Sequence, residues 1–413
     1  MNEQIETVII GGGHAGLTMG YCLSQVGREY VIFERARIAE RWRSERWDSF
    51  TFQFPNWTIE LPGYKYQCDD PDGFAPGKEV VRFIENYAAI IKAPVRCGVR
   101  VTSLRRKPKS DRYLIQTEST TIEAENVIIA TGGYQEPAIP PISAHMPMDV
   151  FQIHSSRYRN PDQLPPGAIL VVGSGASGCQ IAEDLYQRGR TVYLSVGRHL
   201  RVPRRYRGRD YGWWRTVMGG WDRTVDMLPS LEIEKFPATL LTGVNGGHDI
   251  DLRRMAADGV TLLGYLQAIT EGKLLLAPDL EENLEKGDEG VTNFKNSVDF
   301  YVKKTGLDIP EKSRVEEDVV VLEEIPPILE LDLKATGITS VIWASGFRYG
   351  FGWVKLPVLD EAGDPVHRRG VTRCPGIYFL GLKWLYKLKS SFISGGGVAE
   401  DAAYLAAQIE ARR

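Results

Sequence analysis

The apolar positions near the start of the chain change period twice. Thr7 to Ile10 is a β-branched run that predicts a strand. Leu17, Tyr21 and Leu23 then follow a helical pattern that closes near Gly27, and Tyr30 to Phe33 returns to strand. The first strand meets the helix through Gly11-Gly12-Gly13-His14-Ala15-Gly16, and the second strand ends on Glu34. This βαβ unit of about thirty residues carries GxGxxG at its first turn. In such a turn Gly11 permits the tight bend, Gly13 admits a pyrophosphate to the backbone, and Gly16 lets helix and strand pack closely. The phosphate charge falls at a helix N-terminus, where free N–H groups and the dipole favour it. Glu34 is placed to accept hydrogen bonds from an adenosine ribose.

The pattern returns from Ala168. Ala168 to Val172 reads as a strand, Gly173-Ser174-Gly175-Ala176-Ser177-Gly178 as the turn, Cys179 to Arg188 as a helix, and Thr191 to Leu194 as the next strand. No acid ends this strand. Ser195 stands there, with Arg198 and Arg201 close behind. An acid would repel a ribose 2′-phosphate, whereas a serine and arginines would hold it, so the second unit reads as a site for NADP(H). Two such units, the first with its acid and the second with arginines, predict a flavoprotein fed by NADPH.

Two further strands end in comparable turns. Asn126 to Ala130 runs into Thr131-Gly132-Gly133, and Ser340 to Ala344 into Ser345-Gly346-Phe347. Proline-rich stretches at Pro137 to Pro141 and at Pro165-Pro166-Gly167 flank the first of these. The expected architecture is α/β, with two Rossmann-like dinucleotide-binding domains and the NADPH domain inserted into the FAD domain. Residues 1–156 and 347–413 form the FAD domain on this reading, and 157–346 the NADPH domain. Tyr378 to Gly381 would supply the last FAD strand, and Val398 to Ala407 the closing helix.

Composition narrows the function. The chain has 413 residues, 50 Lys and Arg against 53 Asp and Glu, and a net charge of −3, which disfavours a nucleic-acid partner. Glycine is in excess at 42 residues, above the roughly 7% of ordinary proteins, and the nucleotide turns account for part of it. Five scattered cysteines without CxxC read as reduced, mostly buried thiols and argue against a disulfide reductase or a zinc site. The acidic start lacks a signal peptide's basic region, and no apolar run reaches the length of a membrane span, so a cytoplasmic protein is expected. No metal site is expected.

The residues together resemble the class B flavin-dependent monooxygenases, most of all the YUCCA-type enzymes and their CzcO-like bacterial relatives. The resemblance covers nearly the whole chain. Besides the two glycine turns it rests on Phe33-Glu34-Arg35 with Arg41-Trp42-Arg43, on Phe52-Gln53-Phe54-Pro55, and on Ala130-Thr131-Gly132. It continues in His154-Ser155-Ser156-Arg157-Tyr158, in Trp343-Ala344-Ser345-Gly346-Phe347 and in Ser390 to Gly395 before Asp401-Ala402. The family's linker motif FxGxxxH is met only at His154, with Tyr158 beyond it. Met148 and Val150 occupy the Phe and Gly positions. That His–Tyr half is similar to N- and S-hydroxylating and YUCCA-like members.

The resemblance implies a single-component monooxygenase in which NADPH reduces FAD, the reduced flavin forms a C4a-hydroperoxide with O2, and a small organic substrate receives one oxygen atom. N- or S-oxygenation stands ahead of Baeyer–Villiger insertion or oxidative decarboxylation. An NAD(P)H-dependent reductase of a quinone or protein, or a redox-responsive regulator, are the alternatives. The implied FAD contacts are Gly11, Gly13, His14, Ala15, Gly16, Glu34, Arg35, Trp42, Gln53, Ala130, Thr131, Gly132, Gly381, Ser391 and Phe392. The implied NADPH contacts are Gly173 to Gly178, Ser195, Arg198 and Arg201. Gln53 is the one candidate for oxygen activation.

Several residues have bland readings as well. The arginines beyond Arg201 read as solvated surface more than as a clamp for an anionic substrate, and the tryptophans Trp213 and Trp214 as packing between domains more than as substrate wall. His154 reads as a hinge held by hydrogen bonds more than as an acid or base. Residues 279–290 read as an acidic, solvated helix end and loop with no partner.

Overall fold

A computed structural model describes residues 3–228, 239–310 and 325–412. Two sheets organise it. The first is built on strand β1 (Glu3–Ile10), which leads through helix α1 (His14–Gln25) to β2 (Tyr30–Glu34). β1 pairs in parallel with β2, Ile10 opposite Phe33, and on its other edge with β3 (Thr121–Ile129), Ile10 opposite Ile129. Thr7 to Ile10 are buried, as expected of a central parallel strand covered on both faces, and this explains their unbroken apolar run. β3 is longer than its apolar stretch predicts. Its first residues pair antiparallel with Tyr113–Thr117, and its last pair in parallel with Ile377–Phe379, so one strand serves two neighbours. The closing helix Gly397–Glu410 packs on α1.

The second sheet is all parallel. Its strands are β4 (Phe151–His154), β5 (Ala168–Val172), β6 (Val192–Ser195), β7 (Thr261–Leu263) and β8 (Ile338–Trp343), in the order β4-β8-β5-β6-β7. Helix α2 (Ala176–Gln187) follows β5. β4 corrects an expectation: residues 151–154 fall inside the stretch assigned to the first domain, yet they hydrogen-bond the second sheet, Phe151 opposite Ser340 and His154 opposite Trp343. The chain passes between sheets earlier, where Glu136–Pro137 pairs antiparallel with Phe347–Arg348, so the outward and return crossings lie side by side.

The acidic segment 279–290 is a second correction. It opens a continuous helix, α3 (Leu280–Thr305), rather than a helix end and loop. Leu280, Asn283, Leu284 and Gly287 are buried in its first turns. Gly287 is needed for the approach: a Cβ there would lie 2.3 Å from the His199 ring. The acids are also partnered, Glu281 and Asp288 with Arg253, and Asp288 with Arg201.

All five cysteines are free, but Cys68 and Cys97 are exposed, so the expectation of mostly buried thiols holds only for Cys22 and Cys179 in full. Among the described residues no helix is long and apolar enough to cross a membrane, and no cluster of His, Cys, Asp or Glu could hold a metal.

Candidate active site

The two glycine turns have the same construction. Gly11 and Gly173 adopt φ +119° and +109°, and a Cβ on either would strike the carbonyl oxygen ending the neighbouring strand, Ala130 O at 2.5 Å and Ala344 O at 2.7 Å. Gly16 and Gly178 press against the first glycine's own carbonyl, where a Cβ would lie 2.0 and 1.9 Å away. The middle glycines differ from both. At Gly13 and Gly175 an added Cβ meets nothing within 4 Å. Neither α1 nor α2 has a side-chain cap or an acid in its first turn. Each turn therefore leaves an open space in front of uncapped helix amides, as a pyrophosphate requires.

Beyond the turns the units part. Glu34 uses both carboxylate oxygens on its own loop, one accepting from Gly12 N at 2.7 Å and the other from Ala36 N at 2.9 Å. In the second unit Ser174 Oγ bridges to Gly197, donating to its carbonyl and accepting from its amide, both at 3.0 Å. Two predicted phosphate contacts are corrected here. Ser195 is buried and its hydroxyl donates to Gly264 O, so it faces the sheet rather than a ribose. Arg201 is held by Asp251 and Asp288, with Asp249 at 3.6 Å, which neutralises it. Arg198 alone of the three stands exposed beside Gly197, while Arg35 and Ser177 are exposed at the rims of their turns.

The C-terminal segment closes on the first turn. His14 Nε2 lies 3.1 Å from Ser391 O, and a Cβ at Gly381 would be 2.7 Å from Ala15 Cβ. Burial pushes the His14 pKa down, opposed by the Ser391 contact. The Phe54, Phe392 and Trp221 rings pack with centroids 5.4 to 6.2 Å apart, and Trp42 lies 6.0 Å from Phe52. Thr131 Oγ1 and Gly132 O both accept from Gln135 Nε2. Gln53 is half-buried between Phe52 and Phe54, and its carbonyl accepts from Arg204 at 2.8 Å.

Sequence reasoning missed Arg204. Instead of solvated surface it is a buried cation bonded to Gln53 O, Thr242 O and Asp210, with its guanidinium 4.8 Å from the Phe74 ring. No local signal separates it from Arg205 or Arg207. Trp214 is fully buried with its indole N–H on Tyr206 O, so it is packing. His154 bonds Gly346 O at 2.8 Å and Ser156 Oγ at 3.0 Å, tying the outward linker to the return crossing.

Comparison with known proteins agrees with this geometry. Residues 8–207 match the pyridine nucleotide-disulphide oxidoreductase model. An uncharacterized CzcO-like oxidoreductase of Geobacillus kaustophilus is 33% identical over 98% of both chains. A probable indole-3-pyruvate monooxygenase, YUCCA1 of Arabidopsis thaliana, is 26% identical over 72% of this chain and 74% of its own. Among solved structures the flavin-containing monooxygenase of Stenotrophomonas maltophilia superposes with a TM-score of 0.68 at 18% identity, covering 99% of each chain. The chain belongs to the CzcO-like oxidoreductases, within the class B flavin-dependent monooxygenases. The enzymes of that class work with FAD and NADPH. The open spaces at Gly13 and Gly175 and the uncapped helices behind them fit two dinucleotides.

Proposed function

We propose that this enzyme uses NADPH and O2 to oxygenate a small organic substrate, at nitrogen or sulfur. One oxygen atom goes to the substrate and the other leaves as water, with two electrons from NADPH and a proton from solvent. Bound FAD supplies the chemistry that accepts hydride and activates oxygen. The observation that carries the reading is the pair of matching, open glycine turns on adjoining sheets of one chain.

The protein's part is to bind, orient and exclude water. Gly11 to Gly16 hold the FAD pyrophosphate, with Glu34 bracing the turn and available to the ribose. Ala130 to Gly132, Trp42, Gly381, Ser391 and Phe392 border the same cofactor, and Arg35 lies at its outer rim. Gly173 to Gly178 hold the NADPH pyrophosphate, and Arg198 takes the 2′-phosphate alone. Gln53, fixed through its main chain by Arg204, offers an amide to the oxygen-activating site. The paired crossings support a division at Glu136–Pro137 and Phe347–Arg348, with the FAD domain outside them and the NADPH domain between. N- or S-oxygenation is favoured by the His154 and Tyr158 pattern of the linker.

The test is NADPH oxidation in air with amines, sulfides, ketones and 2-oxo acids, followed by product mass. A product one oxygen heavier, formed in step with NADPH loss from an amine or sulfide, is expected. Turnover that yields only peroxide with every class, or that persists without oxygen on a quinone, overturns the reading.

A further inference from the structure

The loop that follows the helix Glu40–Ser44 reaches out of the first unit into the second. Its near end belongs to the first glycine turn, since Ala39 N donates to Gly12 O at 3.3 Å. At its far end Trp47 is buried in the apolar core of the second unit, with Tyr158, Ile169, Ile181 and Leu185. Polar bonds hold the loop there. Asp48 N donates to Arg159 O at 2.8 Å, Asn160 Nδ2 to Asp48 Oδ2 at 2.6 Å, and Arg159 Nη1 to Arg46 O at 3.2 Å. An arm of one unit is therefore packed in the core of the other.

Asp184 meets this arm. It lies in α2, the helix that starts from the second glycine turn, about 12 Å along the axis from Ala176. Its carboxylate is buried and accepts twice, Oδ1 from Ser49 Oγ and Oδ2 from Tyr158 OH, each at 2.6 Å. Bonds this short from hydroxyl to carboxylate are of the charge-assisted kind. Tyr158 follows β4 and is fully buried, and burial and the neighbouring carboxylate push its phenol pKa up, so it stays a donor. Arg188, 3.4 Å from Oδ1 and half-exposed, adds only a screened attraction. Tyr158 thus orients the carboxylate within the second unit, and Ser49 is the group of the first unit that it holds.

The consequence is geometric. Each dinucleotide is held by its own turn, so the gap between the two reactive rings depends on how the units sit on each other. Reacting atoms must come within about 3 to 3.5 Å, and an error of about 1 Å costs up to about 100-fold. Helix α2 carries the second turn at one end, so a tie at Asp184 fixes that turn with it. Arg204 also joins the units, at Gln53 O, but it does not stand on this helix. The contacts proposed for the NADPH phosphates, Gly173 to Gly178 and Arg198, lie within the second unit and leave the arm out.

We propose that Asp184 is a positioning residue for hydride transfer from NADPH to the flavin: held by Tyr158 and accepting from Ser49, it sets the NADPH turn against the FAD turn. This rests on the monooxygenase reading above and adds to it a contact that aligns its two cofactors.

The test compares Ser49→Ala and Asp184→Asn with wild type, each as the FAD-loaded protein. Three quantities are read. They are the limiting rate at which NADPH bleaches the flavin without oxygen, the equilibrium Kd of NADP⁺, and the long-wavelength charge-transfer absorbance of NADP⁺ with dithionite-reduced flavin, which requires the two rings to stack. Ser49→Ala should slow bleaching about tenfold and lose most of the charge-transfer band, while the Kd of NADP⁺ stays within about twofold. Asp184→Asn should do the same, and Ser49→Ala decides alone if the buried substitution prevents folding. A Ser49→Ala protein with a lower Tm but wild-type rate and band overturns the proposal, leaving a structural tie only. A rise in Kd that matches the loss of rate overturns it too, because Asp184 would then shape the NADPH site rather than align it. A wild type that binds FAD but is not bleached by NADPH removes the function proposed above and this inference with it, whereas bleaching that is the same in wild type and both variants removes this inference alone.

Discussion

The two nucleotide units solve the same steric problem with the same three glycines and then diverge one strand later. In the first, the strand-end acid also braces its own loop: Glu34 accepts from the amides of Gly12 and Ala36. In the second, that work passes to Ser174, which ties Gly197 to the turn, and the strand-end Ser195 is turned into the sheet. The backbone device is therefore local and repeats with little change, whereas selectivity depends on which side chains remain free once the loop is braced. In the second unit that leaves Arg198 exposed and Arg201 neutralised.

The comparison breaks first at the third glycines. Gly16→Ala and Gly178→Ala should each destabilise by about 3 kcal/mol, because the new methyl lands on a fixed carbonyl. Gly13→Ala should change the stability of the FAD-free protein by less than about 0.5 kcal/mol, yet weaken FAD retention. Denaturant unfolding with and without FAD separates the two effects, and equal losses at Gly13 and Gly16 would refute the division of labour. Glu34→Ala should come next, at about 2 kcal/mol, from two amides left without their carboxylate. Ser195→Ala should change the KM for NADPH little by comparison.

Arg198→Ala should raise the KM for NADPH about tenfold and leave that for NADH nearly unmoved, as steady-state kinetics with both nucleotides would show. Arg201→Ala reverses that pattern. It should lower stability by about 1 kcal/mol, measured by thermal unfolding, because Asp251 and Asp288 lose their shared cation. A shift in NADPH KM as large as that of Arg198→Ala would return Arg201 to the cofactor.

The smallest effect distinguishes the units by pH. Burial lowers the His14 pKa, so its contribution to stability is present above the unfolded value near 6.5 and is lost as pH falls. Glu183, 2.6 Å from His248 Nε2, raises the pKa of His248. Its contribution is complete below about 6.5 and lost as pH rises through the folded value. His248 is partly exposed, so solvent screening keeps this term small. His14→Gln and His248→Gln should thus change the slope of Tm against pH in opposite senses around pH 6 to 7. Slopes that move together would show that one histidine's surroundings are misassigned.

Much of this was written locally. Helix α1 covers His14–Gln25 and α2 covers Ala176–Gln187, within a few residues of the expected spans, and Ala168–Val172 matches its prediction residue for residue. Strand β4 was hidden because a four-residue run cannot name its partner, and only pairing with Ile338–Trp343 assigns it to the second sheet. The acidic segment was misread for a related reason. Charge alone suggests solvent, but Asp288 meets Arg201 and Arg253 across 87 and 35 residues of sequence.

The sequence by itself determined the two glycine turns, their order and the cofactor class, because close backbone approach and positive φ restrict which residues can stand at fixed short spacings. The tertiary structure decided which charges stayed available. Arg198, Arg201 and Arg204 are alike as letters, and folding sorts them into an exposed cation, a neutralised one and a buried tie between main-chain carbonyls. An arginine's role is set by the carboxylates and carbonyls within about 4 Å, and those come from distant parts of the chain.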